Sequence, residues 1–178
     1  MANVRQRRTA TFTYGFFEVF AYDSSRAGTE AAGDDIQHAI EEGTRSRRSV
    51  GLAGDAAVLF MPEQYSGEVE LEVVEYDAEP PLTLDEVDVC VEFDLNLPSG
   101  EIVLEEPAND PVPIANVTAG RYRLRWHGLG FDGLEARRSA AEDDEDAPRN
   151  PDHYRLELWQ TSQSAPPRQH RGGPNTGT

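Results

Sequence analysis

From Val87 to Leu97 the odd positions Val87, Val89, Val91, Phe93, Leu95 and Leu97 are apolar, while the even ones read Asp88, Cys90, Glu92, Asp94 and Asn96. Strand side chains alternate between faces, so this pattern predicts a strand with one face in a core and the other in water. The same period of two runs through Thr11–Tyr22, Val50–Leu52, Ala57–Met61, Glu68–Tyr76, Glu101–Leu104, Arg121–Gly128 and Tyr154–Trp159, giving about eight strands. Turn chemistry at Pro80-Pro81, Pro98-Ser-Gly100, Asn109-Asp-Pro111 and Ala119-Gly120 separates the runs at the short spacing of antiparallel neighbours. Residues 34–43 alone have helical character: acids in the first turn, Ile36 and Ile40 four apart, and Gly43 where a stop belongs. With no βα alternation, the expected fold is all-β, a two-sheet antiparallel sandwich with one short helix.

The strands place the folded domain at residues 9–161, with a basic tail at 1–8, a charged flexible loop at 135–152 and a second tail at 162–178 that holds no apolar residue larger than Ala in its Gln163–Thr178 part. The longest apolar run, Ala56–Met61, is too short to span a bilayer, and Met1–Arg8 leads into a strand rather than a signal core. The expected location is the cytoplasm, without membrane association. Cys90 is the one cysteine, which rules out an intrachain disulfide and reads as an inert side chain in a sheet.

All 16 basic residues are Arg, and their placement is uneven: residues 49–120 hold 17 Asp and Glu with no basic residue, so the net charge of −17 resides in that segment. A phosphate backbone needs a basic footprint, which argues against direct nucleic-acid binding. An excess this local is instead suited to a cationic protein. Within it, Val69, Leu71 and Val73 turn Glu68, Glu70 and Glu72 outward. Tyr122, Leu124 and Trp126 likewise expose Arg121, Arg123 and Arg125. If these two strands are sheet neighbours, the rows cancel as cross-strand pairs; if they lie on opposite sheets, the Glu row is bare. The partner-binding candidates are Glu68, Glu70, Glu72, Glu75, Glu92 and Asp94.

Motifs for chemistry are sparse. His38, His127, His153 and His170 lack metal-ligand spacing and read as surface or turn histidines. No Gly-x-Ser-x-Gly elbow occurs, and Gly128–Gly133 lacks the Lys and βαβ context of a phosphate loop. Glu142–Asp146 does not follow the alternating ligand plan of an EF-hand and reads as a solvated loop or an acidic arm. Asp23, Asp77, Asp85, Asp110 and Asp132 fall near strand ends, which leaves open a calcium-dependent sandwich module assembled from several loops. No acid, base and nucleophile set can be assembled, no cofactor is expected, and an enzyme is disfavoured.

The order Phe17–Asp23, Ile36–Gly43, Val50-Gly-Leu with Ala57–Phe60, the Glu-rich strand, the Leu97-Pro-Ser-Gly100 turn and Ala119–Leu124 resembles the competence protein J group over residues 12–160. The resemblance implies a β-sandwich that binds and inhibits a nuclease. The acidic insertion and the Glu157–Trp159 end have no counterpart in that group, so no contact residue carries over. The expected function is a non-enzymatic acidic domain that binds a basic protein such as a nuclease in an inhibitor or immunity-like role.

Overall fold

The computed structural model describes residues 1–14, 18–60, 67–85, 87–107, 109–129 and 152–172. Among these, eleven strands and one α-helix are formed: β1 (Val4–Tyr14), β2 (Glu18–Asp23), α1 (Glu30–Ser46), β3 (Val50–Ala53), β4 (Ala56–Phe60), β5 (Gly67–Tyr76), β6 (Val87–Leu97), β7 (Glu101–Glu105), β8 (Val112–Asn116), β9 (Gly120–Leu129), β10 (Asp152–Gln160) and β11 (Arg168–Arg171). They make a six-stranded sheet of order β1-β5-β10-β9-β6-β11 and a five-stranded sheet of order β3-β4-β2-β7-β8. All strand pairs are antiparallel except β10 with β5.

The core lies between the two sheets. Val69, Leu71, Val91, Phe93, Leu124, Trp126, Leu156 and Leu158 of the larger sheet meet Val19, Ala57, Leu59, Ile102 and Leu104 of the smaller one, and all are buried. Each valine, leucine, isoleucine or phenylalanine among them contributes roughly 1.5–3 kcal/mol by leaving water. Trp126 stacks on Tyr154 within this layer, with ring centroids 4.8 Å apart. The alternation of β6 is kept from Val91 to Leu97, but a bulge between Val87 and Val89 leaves Val89 only partly buried.

The chain crosses between sheets at the turn after β6. Asp23, fully buried at the end of β2, accepts hydrogen bonds from the Ser99 amide at 2.9 Å and hydroxyl at 2.8 Å, and from the Ser25 amide at 3.0 Å. Burial alone would push this carboxyl up, but the serine donors outweigh it and hold the group below its ordinary value.

Helix α1 is longer than the expected 34–43. It begins at Thr29, whose hydroxyl accepts from the Ala32 amide, and ends at Arg47 in the left-handed conformation, φ 55°. Gly43 is therefore interior. It faces Gly51 of β3, where the helix lies close enough that side chains at either position would collide with the neighbouring element. Ile36, Ala39 and Ile40 pack on Phe20, Tyr22, Val58 and Val103, so the helix covers the outer face of the five-stranded sheet.

Both expected tails differ from the sequence reading where they are described. Residues 4–8 are the first half of β1, and 168–171 form β11 on the edge of β6. Neither segment offers an apolar face; their order comes from backbone pairing and from arginine contacts described below. β8 was also not anticipated, because Pro113 interrupts its pattern; it is an edge strand, where proline is tolerated.

Candidate functional site

The outer face of the six-stranded sheet was expected to be wet. Its centre is instead a buried layer of charge. Arg121, Arg123, Arg125 and His127 of β9 project outward between Asn96, Asp94, Glu92 and Cys90 of β6 and the β10 row Arg155, Glu157 and Trp159. Arg125 is 1% exposed, with Nε 2.7 Å from Glu92 Oε1 and Nη1 3.0 Å from Glu157 Oε2. Its guanidinium also lies 5.0 Å above the Trp159 ring. Arg123 Nη1 is 2.8 Å from Asp94 Oδ1, and His127 Nε2 is 3.2 Å from Glu157 Oε2.

Two loops roof this layer. From the β5–β6 loop, the carbonyls of Pro80 and Pro81 accept from Arg125 at 3.3 and 3.5 Å. From the segment before β11, the carbonyls of Ala165 and Pro166 accept from Arg123 at 3.0 and 3.1 Å, while the Ala165 amide donates to Asp94 at 2.9 Å. His170 Nε2 stands 3.1 Å from Glu92 Oε1, and Arg171 donates to the Leu84 carbonyl at 2.8 Å. Arginine suits such a site because its planar fork satisfies several acceptors at once.

Burial pushes the Glu157 and Glu92 carboxyls up, yet His127 and Arg125 at the first, and Arg125, His170 and Arg123 at the second, outweigh it and hold both below the ordinary 4.5. A carboxyl depressed by folding contributes stability that is complete above its unfolded pKa and disappears as pH falls through its folded pKa. Wild type should therefore lose more stability between about pH 5 and pH 3 than Glu157→Gln, in which one titrating group is gone. Urea unfolding of both proteins across that range checks this; parallel pH profiles would contradict it.

The six candidate carboxylates fare differently. Glu92 is 5% exposed, Glu75 is 8% exposed, and the Asp94 side chain is 10% exposed, so these three sit inside the fold rather than on an outward anionic row. Arginine neighbours are the reason for the first and last; Glu75 lies 3.7 Å from Arg5. Glu72 is shared by Arg7 at 2.8 Å and Arg155 at 2.6 Å. Glu70 is open, 47% exposed, with His153 Nδ1 3.6 Å away. The side chain of Glu68 lies outside the described residues. The Glu row of β5 and the Arg row of β9 share a sheet but are not neighbours, because β10 separates them; Arg155 and the N-terminal Arg7 supply the neutralisation.

Beside the roofed layer runs an open groove of about 1000 Å³. Its floor is Glu157 and His127, one wall is Glu70, Glu72 and Arg155, and the other is the loop carrying Pro80, Pro81, Thr83 and Asp85. His127, read from sequence as a surface or turn residue, is 3% exposed. The signal that would have found it is the row Arg121, Arg123, Arg125, His127 continuing in register with Arg155 and Glu157.

The chemistry of the face is that of charge pairing. Burial pushes the Cys90 thiol up to about 12, which keeps it an unreactive thiol. Among the described residues no group of three or more His, Cys, Asp and Glu could hold a metal ion, and no helix is long and apolar enough to cross a membrane. Of the loop aspartates, Asp23 is occupied by serines and Asp77 by the Asn3 amide at 2.7 Å. Asp132, the 142–146 acids and most of the 128–133 glycine run lie outside the described residues.

No protein-family model and no curated protein matches the chain. Two solved structures do. One is ComJ of Bacillus subtilis, inhibitor of the DNA degrading activity of NucA, with a TM-score of 0.52, 12% identity, and 90% of this chain and 99% of that chain covered. The chain shares the ComJ fold. The other is crocagin biosynthetic gene J, with a TM-score of 0.53, 19% identity, and 87% and 98% covered. Because both neighbours are spanned almost end to end, the ComJ likeness concerns the whole two-sheet arrangement rather than one hairpin.

Proposed function

We propose that this chain is a non-enzymatic, acidic protein-binding domain that acts as an inhibitor or immunity-like protein toward a cationic partner such as a nuclease. The observation that carries the reading is the ComJ-like fold over nearly the full length, since ComJ is described as the inhibitor of a DNA-degrading activity. Charge supports it. Arginines neutralise Glu92, Asp94 and Glu157 internally, while Glu70, Asp77, Glu79 and Asp85 of the central acidic segment remain exposed or nearly half exposed. A nuclease must hold phosphate in a basic cleft, and an anionic surface can occupy that cleft without chemistry of its own. The role expected for Glu75, Glu92 and Asp94 passes, on this reading, to these exposed carboxylates.

Purified chain should inhibit DNA degradation by a nuclease of net positive charge. Its association rate constant should fall about tenfold or more between about 20 mM and 200 mM salt, with the dissociation rate changing much less. Stopped-flow association at several salt concentrations tests this. An association rate indifferent to salt, or no inhibition of any cationic nuclease tried, would end the proposal.

A further inference from the structure

We infer that the groove on the outer face of the six-stranded sheet is the seat for an extended, arginine- or lysine-bearing segment of a protein partner; this rests on the protein-binding reading above. The groove's volume of about 1000 Å³ stands at the upper end of small-molecule pockets and suits several side chains in a row. Its charge is lopsided. The lining carries Glu70, Glu72, Asp85, Asp88 and Glu157 against Arg155 and Arg171, and although Arg7 also pairs with Glu72 and Arg125 with Glu157, the carboxylates stay in excess.

Both of those cations are already engaged, Arg155 by Glu72 at 2.6 Å and Arg171 by the Leu84 carbonyl at 2.8 Å. Of the two, Arg155 is charge-paired, whereas Arg171 donates to a neutral carbonyl and keeps its charge among the more numerous carboxylates of the lining. A cation would find Glu70, half open with His153 3.6 Å away, and the exposed Asp85 lining the same groove. Between the carboxylates lie Tyr76, Pro80, Pro81, Val87 and Leu129, an apolar lining that suits the methylene stems of arginine and lysine. The Tyr76 ring adds a face on which a guanidinium can stack. Glu157, 7% exposed, is held in the groove by Arg125 at 3.0 Å, with His127 Nε2 3.2 Å away.

The probe is hexa-arginine, with hexa-citrulline as its neutral isostere, titrated calorimetrically into the full chain at low ionic strength. Two variants remove equal charge from opposite sides of the molecule: Glu70→Gln with Asp85→Asn in the groove, and Asp34→Asn with Glu41→Gln on the exposed face of α1. Hexa-arginine should bind and hexa-citrulline should not. The groove variant should weaken binding about tenfold or more while the helix variant stays within about twofold. Equal weakening by both would mean diffuse attraction to an acidic surface and would overturn the inference, as would failure of hexa-arginine to bind. A cationic nuclease inhibited equally by wild type and groove variant also removes the groove, while leaving the inhibitor reading intact. Thermal melting of each variant checks that the fold is retained.

Discussion

Replacing Arg125 by Leu should cost about 3–5 kcal/mol, because it takes the shortest ion pair from each of two buried carboxylates, leaving Glu92 to Arg123 at 3.4 Å and His170 at 3.1 Å and Glu157 to His127 at 3.2 Å. Arg125 is 1% exposed and joins Glu92 to Glu157, so neither acid can turn to water when it is lost. The carbonyls of Pro80 and Pro81 would also lose their donor, loosening the loop that walls the groove. For a domain of this size the melting temperature should drop by roughly 10 °C or more. Adding Glu92→Gln and Glu157→Gln to Arg125→Leu should recover much of the loss, since it removes the charge rather than the packing. Chemical denaturation of the single and triple variants reads both effects. A single variant within about 1 kcal/mol of wild type would mean that the layer is hydrated and the burial argument does not apply.

The second large effect is expected at Gly51. A Cβ there would stand 1.8 Å from the Ala39 carbonyl oxygen and 2.8 Å from the Gly43 amide nitrogen, both backbone atoms of α1 that cannot step aside. Gly51→Ala should therefore push the helix off the sheet and cost about 1–3 kcal/mol or more, through overpacking alone. Gly33→Ala in the same helix is the control of opposite sign. Nothing lies within 4 Å of its added Cβ, and helix propensity favours Ala by up to about 1 kcal/mol. Hydrogen exchange along α1 should quicken in the first variant and not in the second. Unchanged stability in Gly51→Ala would show that helix and strand can separate freely.

Where one face of a segment is apolar and the other polar, the sequence was a reliable guide. β5, β6, β9 and β10 were legible from Val69, Leu71 and Val73, from Val91 to Leu97, from Tyr122, Leu124 and Trp126, and from Tyr154 to Trp159. β11, reading Arg-Gln-His-Arg, has no apolar face, and residues 4–8 are nearly all polar, so periodicity offers nothing to detect. Their order derives from distant partners: Arg7 finds Glu72, and His170 finds Glu92. Gly43 misled for a related reason, since a stop signal and a close-approach site use the same residue. Strand order was hidden as well. That β10 stands between the Glu and Arg rows decides which charges cancel, and no local pattern encodes it. Of the carboxylates singled out from sequence, Glu75, Glu92 and Asp94 are largely buried, which alternation alone does not reveal, and the groove beside them depends on a loop whose path the sequence leaves open.

The position of β10 between β5 and β9 bears on how the chain must be assembled during synthesis. When residue 129 has been made, the pair β1-β5 and the pair β6-β9 can each form, but nothing joins them in one sheet until residues 152–160 emerge. At ordinary elongation rates of about 5–20 residues per second, β5 and β9 stand with open edges for seconds, each with an apolar face beside it. The glutamate row of β5 repels the β5 of another nascent chain and the arginine row of β9 repels another β9, which disfavours pairing between like edges until β10 fills the gap.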